Sequence, residues 1–479
     1  MTKSRDNVLR LFLYSLFFFL SAHAFCYFNL TLRGNSLILN ASKVDVSSIS
    51  SGSFLMPYYF RLRGGISSPF FIGILSFIYL FAAVLLLCDL LSMQDSFSQM
   101  LLSGLIMLSP ALLNINVESL FIADAICLSF SLCIAGIYLL FKKEKLFPVA
   151  FVLLTCAQGL YPGHYPVPFL TLLLVLFHLC ECGETTFSKL QRFCLPLVPT
   201  LSGFAAIFGY LFMCHHTGYD ANAVLTMHDA GGLFKSLFYP LLSLLQPVNA
   251  YPHLYVLVVL LLAGLGIYFL LSDALRHSRW LILIAALVCL LPGLPFWGDT
   301  PSPQFLFSFL FPPMLILVLI AHRSLSKVLL NGIRALFAVI FLGMIVFSNQ
   351  AYFKINLDFE STLSLMTQVL SRIEEQTDFI PGSTPVAFIG TPSESPLLMN
   401  RQGFEHLDAL KALSGKTSLT NKNQMTWYFW ETLGYPVNCI SDFEQEQLAQ
   451  REDVKQIPVF PHPGSIRMMD DILVIHLSE

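Results

Sequence analysis

The chain is predicted to be a polytopic α-helical membrane protein with about eleven crossings, followed by a small C-terminal α/β domain in water. Three observations predict this. Hydrophobic residues make up 55% of the 479 positions and charged residues 12%, whereas a soluble domain carries about 25% charged residues. Apolar runs of the roughly 20 residues that a helix needs to cross bilayer hydrocarbon recur along the chain. The apolar texture then stops near Ser348, and ordinary polarity follows. This sets two domains, a transmembrane domain over 1–348 and a soluble domain over 349–479. The mean hydropathy of +0.68 agrees with a membrane protein. The net charge of −3 and pI near 6.4 offer no basic surface for nucleic acid.

The first crossing is read at 11–28, after the basic residues Lys3, Arg5 and Arg10. Ala22-His23-Ala24 resembles a signal-peptidase site, but the apolar run continues through Phe25–Phe28, which favours an uncleaved first helix. Further crossings are read at 69–91, 98–113, 122–141, 147–161, 166–181, 194–213, 254–272, 280–296, 304–321 and 329–347. Basic residues set the orientation. Lys142, Lys143, Lys145, Lys189, Arg192, Arg276, Arg279, Arg323 and Lys327 fall on alternate loops, and the loops Tyr161–Tyr165 and Trp297–Gln304 carry none. The N-terminus is therefore read as inside and the C-terminal domain as outside. The acidic loop Asp89–Gln99 breaks the pattern. Two outer loops are long, Asn29–Ser68 and His215–Pro252, and Leu233–Phe238 in the second reads as an interfacial helix or a frayed re-entrant piece.

In the tail, Phe359, Leu363, Met366, Leu370 and Ile373 recur at intervals of three and four, giving one apolar helix face. Pro385–Gly390 reads as a buried strand ending in a turn, and Ile472–Leu477 reads as another. Between them lie the aromatic run Trp427–Trp430 and the acidic stretch Asp442–Arg451.

Charges in or beside a bilayer are costly and point to function. Two clusters stand on the predicted outer side. The first outer loop holds Arg33, Asn35, Ser36, Lys43, Asp45, Arg61 and Arg63. The second cluster is Asn114, Asn116, Glu118 and Asp124, and Asp124 sits just inside an otherwise apolar run. A carboxylate there needs a partner, a proton or water. Arg61 and Arg63 offer planar forks that suit a lipid phosphate, and equally suit anchoring a helix end to headgroups. His164, in the stiff turn Tyr161–Pro166, is a candidate donor to a phosphate or acceptor. No metal site is read. Cys180 and Cys182 lack a second pair, and His215, His216 and His228 lack a ligand spacing. No phosphate loop, nucleophile elbow or dinucleotide fingerprint is present.

A set of short segments resembles the bacterial Gtr-type O-antigen glucosyltransferases. They are Arg63-Gly64 with Pro69 and Gly73, Ala123-Asp124-Ala125, Gly159-Leu160-Tyr161, and Ser348–Lys354. Glu360–Leu363, Arg372–Glu374, Pro381-Gly382 through Gly390, Trp427–Phe429, Leu433–Pro436 and Pro458–Pro461 extend the resemblance along nearly the whole chain. It implies a GT-C type membrane glycosyltransferase. Such an enzyme moves a sugar, here glucose, from a polyprenyl-phosphate carrier to a cell-surface glycan outside the bacterial cytoplasmic membrane. It implies no cofactor. In such enzymes catalytic carboxylates lie in the first outer loop, often with another in the second. Asp124 matches the second position, and the first is occupied by Asn35-Ser36, where the family tends to show Asp-Ser. Asn cannot take a proton as a carboxylate does, so either Asp45 takes that role, or Asp124 with Glu118 suffices, or this member is impaired. Arg61, Arg63, Asn35, Asn114 and His164 are the candidate substrate-binding residues. The C-terminal domain is expected to cover the outer cavity, recognise the acceptor through its Trp and Tyr rings, or act as a structural cap.

Overall fold

The computed structural model describes residues 2–29, 52–65, 68–181, 189–217, 327–395 and 422–478, short stretches between 397 and 419, and Met314 and Leu317. The crossings read at 254–272 and 280–296, nearly all of 304–321, the stretch Leu233–Phe238, and Asn35 and Asp45 lie outside the described residues. The described chain is mostly helical and divides into two compact units, one ending at Asn349 and the other starting at Gln350 and including Val117–Phe121.

The first unit is built from α1 (Thr2–Phe28), α2 (Met56–Arg63), α3 (Pro69–Leu90), α4 (Ser96–Met107), α5 (Pro110–Ser119) and α6 (Ala123–Lys142). These are followed by α7 (Phe147–Leu160), α8 (Pro166–Glu181), α9 (Lys189–Thr217) and the first half of α10 (Lys327–Glu374). Among the described residues five helical stretches are long and apolar enough to cross a membrane: Asp6–Phe28, Pro69–Leu90, Ser96–Lys142, Leu197–Thr217 and Leu330–Glu374. The chain is accordingly a helical protein suited to membrane embedding.

The segment read as one crossing over 98–113 is broken. Pro110 lacks an N–H and disfavours helical geometry at the residue before it, so α4 ends at Met107 and α5 starts at Pro110. The helix α7, read as a crossing, has 14 residues. At 1.5 Å per residue it rises about 21 Å, short of the roughly 30 Å of hydrocarbon.

Without a strong hydrophobic force between helices in lipid, close packing at small residues and polar bonds hold a bundle together. Both are present. A Cβ on Gly73 would lie 2.5 Å from the Tyr27 ring, and one on Gly104 2.3 Å from the Phe341 ring, so α1 meets α3 and α10 meets α4 at glycines. His23 bonds the Met107 carbonyl at 2.9 Å, Ser15 donates to Ser103 at 3.2 Å, and Tyr27 donates to Asn116 Oδ1 at 2.9 Å. The helix α6 packs against α3, α7 and α8, placing it at the centre of the unit.

The second unit is a small α/β domain. Its sheet contains β1 (Pro385–Ile389), β2 (Asn438–Cys439), β3 (Ile466–Met469) and β4 (Ile472–His476), in the order β2-β1-β4-β3. β1 pairs in parallel with β2 (Val386 opposite Cys439) and with β4 (Ala387 opposite Val474). β3 and β4 form an antiparallel hairpin whose two turn residues, Asp470 and Asp471, both have positive φ. That is the primed-turn geometry that matches strand twist, and Asp tolerates it.

Both strands anticipated from the sequence are present. β1 is central and buried on both faces, as a parallel strand covered on both sides should be. On one face Val386 and Phe388 pack with Met366, Val369 and Ile373 of α10, Met425 of α11 (Lys422–Trp427) and the following Tyr428 and Phe429. On the other, Ala387 packs with Leu448 of α12 (Asp442–Ala449) and Val454 of α13 (Glu452–Lys455). Tyr428 and Phe429 are thus core, and half-exposed Trp430 donates to the Val437 carbonyl at 3.0 Å. Of the aromatic run, Tyr428 and Phe429 offer no ring face for sugar stacking, because the domain spends them on its interior. Helix α12 opens with a capping box between Ser441 and Glu444.

Gly390 ends β1 at φ +74°, and a Cβ there would lie 2.3 Å from the Ser478 backbone oxygen. Gly390→Ala is expected to destabilise the second unit by about 2–3 kcal/mol through overpacking against backbone that cannot step aside. The midpoint of urea-dependent proteolysis of the C-terminal segment measures it, and an unchanged midpoint contradicts the tight closure.

Candidate functional site

The loop before α2 is pinned by Phe54. Its ring lies where Cβ atoms on Gly159 of α7 and Gly209 of α9 would stand, at 2.7 and 2.8 Å. Tyr165, Ala206, Tyr210 and Cys214 complete its socket, and Leu55 N–H donates to the Gly159 carbonyl at 2.9 Å. Pro57 stands in the first turn of α2, where a missing N–H costs nothing. At the other end Gly64, at φ +95°, donates to the Arg61 carbonyl and Gly65 donates to the Phe60 carbonyl. This is a Schellman closure, which needs a glycine at the left-handed position.

The anchored helix presents Tyr59 and Arg63, four residues apart and hence on one face. Both reach Asp124 in the first turn of α6. Arg63 Nη1 lies 2.5 Å from Asp124 Oδ1, and the Tyr59 hydroxyl donates to Oδ2 at 2.7 Å. The Asp124 side chain is 0% exposed and that of Arg63 1%. The Arg63 guanidinium also lies 4.6 Å from the Phe60 ring centre, a cation–π contact. Placement at a helix N-terminus adds the favourable end of the α6 dipole to the carboxylate. Burial, and after it the Asp124 charge, push the Tyr59 hydroxyl far above its ordinary pKa, so it stays a donor.

The buried carboxylate thus takes the first of the three ways open to it, a partner. Arg61 does not join Arg63. Residues two apart point to different sides of a helix, so Arg61 is exposed while Arg63 turns inward. Of the two candidate arginines, Arg63 is thus held in a buried ion pair and Arg61 stands on the exposed side of the helix. Tyr59 was missed from the sequence, although the Tyr59-x-x-x-Arg63 spacing is a legible signal.

His164 is fully buried. Ser129 Oγ donates to the Ala157 carbonyl at 2.7 Å and bonds His164 Nδ1 at 2.8 Å, with the imidazole edge-on to Tyr161. Ser129 stands five residues along α6 from Asp124, a rise of about 7.5 Å. Asn114 on α5 is 6% exposed, and its Nδ2 finds no acceptor among the described residues. Glu118 is half-buried and belongs to the second unit. A second buried ion pair, Lys354 Nζ to Asp358 Oδ2 at 3.0 Å, lies within α10, with Lys354 also donating to the Leu413 carbonyl. Among the described residues no group of three or more His, Cys, Asp or Glu side chains is gathered as metal ligands would be.

Chemically, the Asp124 carboxylate has both oxygens occupied. It holds Arg63 and Tyr59 in place rather than standing ready to take a proton. A buried guanidinium is chemically suited to an anion such as a phosphate. No protein-family model, curated protein or solved structure matches this chain.

Proposed function

We propose that the protein is a membrane glycosyltransferase with a GT-C-like fold of about eleven crossings. It moves a sugar, glucose by the resemblance of its segments, from a polyprenyl-phosphate carrier to a cell-surface glycan. The reaction takes place at the outer face of the bacterial cytoplasmic membrane. The observation that carries this reading is the buried Arg63–Asp124–Tyr59 cluster, whose carboxylate lies within the membrane-suited stretch Ser96–Lys142. Buried charge in such a setting is costly and defaults to function.

In this reading an acceptor hydroxyl oxygen attacks the anomeric carbon while the bond from that carbon to the lipid phosphate oxygen breaks. The phosphate leaves with the electron pair, and a carboxylate takes the hydroxyl proton. The transition state is oxocarbenium-like, and one displacement inverts the configuration. Arg63 supports the growing phosphate charge, Asp124 positions Arg63, and Asn114, whose amide finds no acceptor among the described residues, donates to a sugar or phosphate oxygen. Asp45 is the candidate for the base.

One observation favours a second reading. Every Asp124 oxygen is satisfied within the protein, as in a clamp that only docks α2 on α6. Membranes carrying the protein, given radiolabelled polyprenyl-phosphate glucose and an acceptor glycan, should transfer label. Absence of transfer, with export or import of the lipid instead, removes the transferase reading in favour of a transporter.

A further inference from the structure

We propose that the outward face of α2 is a lipid-contact surface, with Tyr58 and Leu62 seated where the headgroups of the bilayer meet its acyl chains. This contact requires only that the chain is embedded in a membrane, so it holds with or without sugar transfer. Its first support is the division of α2 into two faces. At 3.6 residues per turn, Tyr58, Arg61 and Leu62 fall within an arc of about 100°, and Met56, Tyr59, Phe60 and Arg63 fall outside it. Burial follows that division. Met56, Tyr59, Phe60 and Arg63 are turned into the protein, whereas Leu62 is 86% exposed, Tyr58 is 51% exposed and Arg61 is exposed as well. A lone exposed leucine on a protein in water needs no explanation. The place of this helix supplies one.

The second support is that α2 stands where one membrane-suited helix starts and another stops. Only five residues separate Arg63 from Pro69, the first residue of α3. The Tyr58 hydroxyl lies 3.8 Å from Met213 Sδ, in the last turns of α9. Both Pro69–Leu90 and Leu197–Thr217 are long and apolar enough to cross a membrane. Each carries exposed apolar side chains every four residues, Phe70, Ile74 and Ile78 on α3 and Phe204, Phe208 and Phe212 on α9. Such a stripe on a membrane-suited helix faces lipid tails. The α9 stripe ends at Phe212, next to the Met213 that Tyr58 touches, and the α3 stripe begins at Phe70, in the first turn after the link from α2. The lipid-facing surface thus runs on from both helices to Tyr58 and Leu62.

The residue types on the outward face select the depth. Tyrosine has an apolar body and a polar tip, and it is enriched where membrane meets water. Leucine favours the acyl chains, and an arginine beside it keeps its charge at headgroup level along its flexible stem. The three together fit the boundary layer, into which interfacial helices sink their apolar faces by about 5–10 Å. A protein partner fits less well. A stable protein interface buries about 800 Å2 on each side, and α2 offers it two apolar side chains on eight residues. Tyr59 and Arg63, on the other face, carry the contacts to Asp124, so the lipid seat also sets the level at which α2 presents them.

The test uses the full chain in phosphatidylcholine vesicles, with Leu62→Trp and Tyr58→Trp as separate reporters. Each spectrum is read as its difference from the original protein, which removes the four native Trp residues. The added emission should fall about twofold when the lipids are brominated near the carbonyl end of their acyl chains. It should fall less with bromine near the methyl end, and hardly at all with aqueous iodide. Should one variant fail to insert, the other still reports on the same face. Quenching by iodide alone would put the face in water and overturn the proposal. Quenching by neither agent would mean that protein covers it, a second copy or another segment of this chain, and would overturn it as well. Strongest quenching from the methyl end would place α2 in the hydrocarbon interior, against the boundary seat. Transfer of labelled sugar is read separately, so either proposal can fail alone.

Discussion

Asp124→Asn is expected to abolish sugar transfer and to destabilise the first unit by about 3–5 kcal/mol, because it leaves the Arg63 charge buried without its counter-ion. Loss of both activity and stability would not separate a transferase from a clamp, so the double variant Arg63→Met, Asp124→Leu carries the decision. Replacing a buried ion pair by apolar side chains of similar size is often neutral or stabilising, and the double variant should insert and resist proteolysis about as well as the original. If the cluster serves the lipid phosphate, transfer stays absent in that well-folded protein. Normal transfer there would reduce the pair to a clamp and remove Arg63 and Asp124 from the chemistry. Arg63→Lys sharpens the result. It retains charge but loses the planar fork, so dependence on the lipid-phosphate donor should weaken more than dependence on the acceptor.

Phe54→Ala is expected to cost about 3–5 kcal/mol, the range for removing a buried aromatic ring whose site cannot collapse. The socket cannot close readily, because Gly159 and Gly209 carry no side chains to fill it and their helices are fixed by other contacts. The consequence reaches the candidate site. Phe54 and the Leu55 backbone bond fix the start of α2, and α2 carries Tyr59 and Arg63. The variant should show faster hydrogen exchange across Met56–Arg63 and lower transfer. Protection equal to the original would mean that the Asp124 contacts alone hold α2.

The two predictions concern opposite ends of the same eight-residue helix. Pro57, the turn at Gly64 and the spacing of Tyr59 and Arg63 are each visible as local sequence features. What they achieve together is not. An isolated helix this short does not hold in water, so α2 depends on packing through Phe54 and on ionic contact through Arg63. The membrane-suited helices were legible for the opposite reason. A run of apolar residues such as Pro69–Leu90 states its own preference for lipid without reference to any partner. Ser98–Leu113 is legible as apolar but not as broken, because its apolar content masks the local rule at Pro110.

The soluble domain follows the same division. The period of Met366, Val369 and Ile373 and the run Val386–Phe388 show a helix face and a buried strand directly. Strands β2 and β3, of two and four residues, carry too little pattern to stand out. Tyr428 and Phe429 look like a binding surface in the sequence, since aromatic residues suit both an interior and a sugar face. Only the packing around β1 assigns them to the interior.

The apolar helical class, the change of texture near Ser348 and the odd carboxylate at Asp124 are legible in the chain alone, since composition, periodicity and the cost of charge in lipid are properties of a local stretch. Which partner Asp124 has, and that Arg61 and Arg63 part company, depends on tertiary packing. Asp124 and Arg63 stand 61 residues apart in the chain. No local pattern encodes a contact that exists only because a glycine-lined socket and a tight turn bring two distant helix ends together.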